Sequence, residues 1–88
     1  MDESEFRQRA EREGYRPPGI KDYPPQNDPE LHAHEFSALV LVTSGELTMG
    51  YADGAVTLTP GEVCEVPAGT LHAERTGPAG ATALLALR

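Results

Sequence analysis

Between residues 37 and 88 the chain is cut into short apolar runs by turn-forming residues, at intervals that suit strands better than helices. Ser44-Gly45 and Asp53-Gly54 have the composition of two-residue hairpin turns, and Thr59-Pro60-Gly61 and Pro67-Ala68-Gly69 break the segments that follow. Strands are predicted at Glu30–Phe36, Ala38–Thr43, Glu46–Tyr51, Ala55–Thr59, Glu62–Val66, Leu71–Arg75 and Ala81–Leu87. Seven short strands with frequent turns predict an all-β sandwich or small barrel. The run Leu39–Val42 lacks apolar/polar alternation, so both of its faces need cover. The barrel core supplies one side, and a second sheet or a subunit the other.

The first residues follow a different pattern. Asp2 with Glu5 fits a capping box, Glu5 and Arg9 are spaced for an i,i+4 ion pair, and Gly14 is a natural stop. The predicted helix has an apolar face of only Phe6 and Ala10, with Tyr15 beyond its end. That is too thin to anchor a helical core, so the helix is expected to lie across another surface as an arm. Pro17-Pro18 and Pro24-Pro25 make the stretch from Arg16 to Pro29 an extended connector, with one short strand at Ile20–Tyr23. Residues 1–36 hold nine of the 14 acidic residues and five of the eight prolines, and the character changes near Pro29. The expected organisation is an N-terminal helix and Pro-rich arm over residues 1–28 and a β-barrel domain over residues 29–88.

Charge and cysteine content narrow the functional classes. Fourteen acidic residues against seven basic ones give a net charge of -7, and six of the seven basic residues are Arg. Nucleic acid or an anionic membrane would be approached against the field of the whole molecule, so neither is an expected partner. The longest wholly apolar run, Ala38 to Val42, is too short to span a bilayer, and no secretory signal pattern opens the chain; a cytoplasmic protein is expected. The single cysteine, Cys64, forbids an internal disulfide and sits among apolar neighbours, where a thiol packs as a small hydrophobe. A chain of 88 residues without disulfides usually gains stability from a bound metal or a partner subunit.

The histidines supply candidates for a metal. His32 and His34 are two apart, so on an extended strand both side chains point to one face, with Cα atoms about 6–7 Å apart. Two imidazoles at that spacing can lean onto one ion with bonds of roughly 2.0–2.1 Å, and His72 from another strand would complete one face of the coordination sphere. By itself a His-x-His pair equally suits a solvated or locally hydrogen-bonded site. The frame around the histidines points to metal.

That frame resembles the cupin family. Its second motif is matched without a gap from Gly61 to His72: Gly61, five residues, Pro67, Ala68, Gly69, two residues, His72. Its first motif is matched at His32, Ala33 and His34, and at Gly45 eleven positions later. Three positions depart. Ala38 stands where the first motif has glutamate, Thr76 where the second has asparagine, and Gln26 where the first opens with glycine. The resemblance implies a conical jelly-roll barrel holding a divalent transition metal on His32, His34 and His72, with Fe, Mn, Ni, Cu and Zn all open. Three neutral imidazoles leave the ion's charge uncompensated. Glu74, two after His72, and Glu30, two before His32, fall on the ligand face by parity, as a fourth ligand or a general base. Ligation needs neutral imidazoles, so metal should leave as the pH falls below about 6.

Function then divides between metal-dependent chemistry on a small organic molecule and a non-catalytic small-molecule-binding or sensing cup, with or without metal. A homodimer is expected from the small barrel, the two-faced Leu39–Val42 run and the N-terminal arm. Sedimentation tests that expectation, and a 9.4 kDa species at micromolar concentration would refute it.

Overall fold

A computed structural model describes residues 1–25 and 30–88. The motif position Gln26 and the change of character at Pro29 lie outside the described residues. Helix α1 (Glu3–Arg12) is followed by strands β1 (Gly19–Tyr23), β2 (Ala38–Tyr51), β3 (Gly54–Leu58), β4 (Val63–Val66) and β5 (Ala73–Leu87). All pairings among them are antiparallel, in the order β1-β5-β2-β3, with β4 on the free edge of β2's first half.

Two long strands replace four predicted short ones. Ser44-Gly45 does not reverse the chain: β2 runs through it for 14 residues, and β5 runs for 15 through the gap left between Leu71–Arg75 and Ala81–Leu87. The register of β2 on β5 shifts between Val42 and Ser44 and again between Gly45 and Leu47. These bulges bend both strands together, so each serves two halves of the sheet. Gly45 and Gly80 make the bend possible. Their φ angles are +74° and +73°, and a Cβ on Gly45 would lie 2.2 Å from the Gly80 carbonyl oxygen. The hairpin between β2 and β3 turns at Ala52-Asp53, one residue before the predicted pair, with Gly54 opening the next strand opposite Tyr51.

Glu30–Phe36 is not a strand either. His32 alone makes an isolated bridge to His72, with reciprocal backbone bonds of 2.8 and 2.9 Å. Beyond that bridge, the Gly69 amide from the Pro67–Gly69 turn caps the His34 carbonyl at 2.8 Å, and the ladder stops.

The bend folds the inner faces of the two halves over one core, where Val40 and Val42 from the first half meet Leu47, Met49, Leu58 and Val66. Along β2, Leu39 and Leu41 face outwards instead. They are covered by this chain's own helix: Phe6 and Ala10 of α1, with Tyr15, pack on Leu39, Leu41, Leu84 and Ala86. The second cover on Leu39–Val42 is therefore α1, and neither a second sheet nor a subunit is needed there. Burying Phe6 completely contributes about 2–3 kcal/mol relative to exposure. The capping box forms as predicted, with the Glu5 amide donating to Asp2 at 2.8 Å and the Asp2 amide to Glu5 at 3.1 Å. That role takes Glu5 away from Arg9, which pairs with Glu13 at 2.8 Å. Tyr15 Oη donates to Glu65 at 2.6 Å and fixes the helix end to β4. No helix among the described residues is long and apolar enough to cross a membrane.

Candidate metal centre

The second motif works as a local device for placing His72. Pro67 and Gly69 turn the chain out of β4, and the segment re-enters the sheet one residue before β5. His72 is buried to 2% exposure, and its Nδ1 lies 2.9 Å from the Thr70 carbonyl oxygen. A carbonyl can only accept, so Nδ1 carries the proton of the neutral ring and Nε2 is left with its lone pair. That Nε2 faces Glu74 Oε1 at 3.5 Å. His32 repeats the arrangement more loosely, with Nδ1 at 3.4 Å from the Glu30 carbonyl oxygen and Nε2 at 3.9 Å from the same Glu74 oxygen.

The three rings lie close together although His32 and His34 are not on a strand. Ring centres are 4.4 Å apart for His32 and His72, 5.1 Å for His32 and His34, and 5.3 Å for His34 and His72. His34 also stacks on Phe36 at 4.7 Å with an interplanar angle of 9°. Burial lowers the His34 pKa, and the neighbouring His72 and His32 lower it further, which favours the neutral form able to donate a lone pair. One donor atom from each of His32, His34, His72 and Glu74 fits in a group whose members all lie within 4.8 Å of one another.

These residues fit a cation. In the neutral tautomers that the Thr70 and Glu30 carbonyls favour, the Nε2 lone pairs of His72 and His32 face the Glu74 carboxylate oxygen, an arrangement that a positive charge relieves. Nitrogen and carboxylate donors together suit Fe, Mn, Ni, Cu or Zn. Ala38 lines the same cavity. The carboxylate missing from that position of β2 is instead brought in from β5, where Glu74 pairs with Met49. Glu30 contributes its carbonyl to His32 and is not one of the four grouped side chains.

The cluster opens into a cavity of about 100 Å³. Val40, Met49, Val66 and Leu85 give it apolar walls, and Lys21 and Tyr23 reach it from β1. The phenol of Tyr23 is raised well above its ordinary pKa by burial, then by the Glu74 charge. Lys21 and Tyr23 were not singled out from the sequence. Their signal is the two-residue spacing within the predicted strand Ile20–Tyr23, which puts both on one face. Cys64 packs against the core, and burial followed by the Glu74 charge pushes its thiol up to about 11, as suits an inert side chain.

Several solved structures share this architecture. A protein of unknown function from Rhizobium leguminosarum bv. viciae 3841 superposes with a TM-score of 0.72 at 22% identity, covering 81% of this chain and 67% of its own. A cupin-2 domain containing protein from Shewanella frigidimarina NCIMB 400 gives 0.65 at 18% identity, over 78% and 65%. The iron(II) form of HppE in complex with substrate gives 0.67 at 21% identity, over 80% of this chain and 44% of that one. At these identities the likeness is one of fold. No curated protein matches the chain. The Cupin_2 family, described as Cupin domain, matches residues 19–86, a span from β1 almost to the end of β5, and the chain belongs to that family.

Proposed function

We propose that this protein is a small cupin that binds one divalent transition metal through His32, His34 and His72, with Glu74 completing the set. The observation that carries this reading is the convergence of those four donors within 4.8 Å of one another, three of them, from His34, His72 and Glu74, on residues that line a cavity. A metal held there supplies Lewis acidity, or redox capacity if it is iron, manganese or copper, to a small organic molecule in the cavity. Thr70 orients His72 through its carbonyl, and Phe36 holds the plane of His34. Glu74 supplies the negative charge that three neutral imidazoles lack, and in turnover it is the residue placed to accept a proton from a bound molecule.

Elemental analysis of protein purified without chelators tests this reading. About one equivalent of a divalent metal per chain supports it, and negligible metal after incubation with each of the five candidates refutes it.

A second reading is a non-catalytic, metal-free cup for binding or sensing a small molecule, favoured by Ala38 at the motif's carboxylate position and by the apolar cavity walls. In either reading the proposed division is residues 1–28 as helix and arm and residues 29–88 as barrel, with β1 of the arm joining the sheet at β5 and lining the cavity through Lys21 and Tyr23. A cytoplasmic homodimer belongs to the same proposal, supported by the free thiol of Cys64 and by Ile20, which is 77% exposed on β1.

A further inference from the structure

The cavity has two polar residues, Lys21 and Tyr23, that are not among the four grouped side chains of the His–Glu cluster. Lys21 and Tyr23 share one face of β1 and both line the cavity. Lys21 is the only lysine in a chain of net charge -7. Its Nζ stands 4.8 Å from the centre of the Tyr23 ring, and among the described residues it takes part in no ion pair. The aromatic face steers the ammonium while leaving its N–H groups available to accept an anion. Val40, Met49, Val66 and Leu85 give the same cavity its apolar walls.

We propose that the cavity takes a small organic monocarboxylate, its carboxylate held by Lys21 and the Tyr23 hydroxyl and its short chain lying on the apolar walls. The two donors match the two oxygens of a carboxylate, and one ammonium matches one negative charge. A phosphate or phosphonate dianion suits the cavity less well, because Glu74 lines the same small space and repels a second charge. The proposal rests on the metal-binding reading only for what happens at the His–Glu cluster.

The test is an NMR titration with butanoate, its uncharged isostere butanamide, and propylphosphonate. It is run on metal-free and on zinc-treated protein, with the zinc content of every sample measured separately. Butanoate is expected to bind about tenfold more tightly than either analogue, the gain ordinarily found for a hydrogen-bonded charge. Lys21→Met should abolish the preference, Lys21→Arg should retain most of it, and Tyr23→Phe should reduce it. The wild-type preference should survive in metal-free protein. Equal affinity for butanoate and butanamide overturns the proposal, as does an unchanged preference in Lys21→Met, or one seen only when zinc is bound. Zinc-treated protein that takes up no zinc yet keeps a Lys21-dependent preference counts against zinc at the His–Glu cluster and leaves the carboxylate site standing. Lys21 is exposed, so Lys21→Met should fold, and its thermal midpoint, compared with Lys21→Arg, verifies this.

Discussion

His72→Ala protein is expected to fold and to lose its metal. Removing the buried imidazole takes away one of four converging donors, together with the hydrogen bond that fixed its ring on Thr70. Loss of a ligand should weaken metal binding by at least about 100-fold, the upper end of what disturbing a ligand's supporting partners alone produces. The metal-free variant also forfeits a buried hydrogen bond and should be less stable by about 1–2 kcal/mol, which circular dichroism during thermal melting will read. His32→Ala separates the two effects. Its side chain is 45% exposed, so its removal should cost little stability while still emptying the site. Glu74→Gln keeps the shape and removes the charge, and should weaken binding by about tenfold or more through the lost attraction. Full metal retention in His32→Ala and His72→Ala would end the assignment of these ligands.

Gly45→Ala is expected to prevent folding. Two independent penalties meet at this residue. Its φ of +74° disfavours any side chain, and the added Cβ would sit 2.2 Å from the Gly80 carbonyl oxygen and 2.9 Å from Ala81 Cα. Both obstacles are backbone atoms of the partner strand, which cannot swing aside as a side chain would. The loss should exceed about 4 kcal/mol, most of what a small domain possesses. Gly80→Ala should do the same, because its Cβ would lie 2.5 Å from the Tyr23 carbonyl oxygen. Gly77→Ala is the control. A Cβ there meets nothing within 4 Å, and its effect should stay within about 0.5 kcal/mol. A cooperative melt for Gly45→Ala at the wild-type temperature would show that the bend is not held by the two glycines.

The sequence made the site more legible than the path of the chain around it. The unbroken spacing from Gly61 to His72 fixed one imidazole at the mouth of the sheet, and the two-residue step to Glu74 placed a carboxylate beside it because both lie on extended backbone. The same parity argument reached a sound result for His32 and His34 by a wrong route. Their segment has no ladder, yet one bridge and one capped carbonyl bring both rings to the cluster. Ser44-Gly45 misled because the dipeptide serves a hairpin and a bulge equally well. Only the partner strand decides, and Gly80 lies 35 positions away. The unpatterned run Leu39–Val42 correctly announced two covered faces. Which element supplies the second cover depends on α1 folding back, a long-range event that local composition does not encode.

The reciprocal backbone pair between His32 and His72 has a consequence for affinity. Those residues are forty positions apart in the chain, so bringing them together closes a large ring at an entropic cost of about 3 kcal/mol. The polypeptide meets that cost during folding, through its own amides and carbonyls. Whatever guest the cup receives therefore finds its anchoring points already assembled, and its binding free energy goes into tightness of hold rather than into ordering the host.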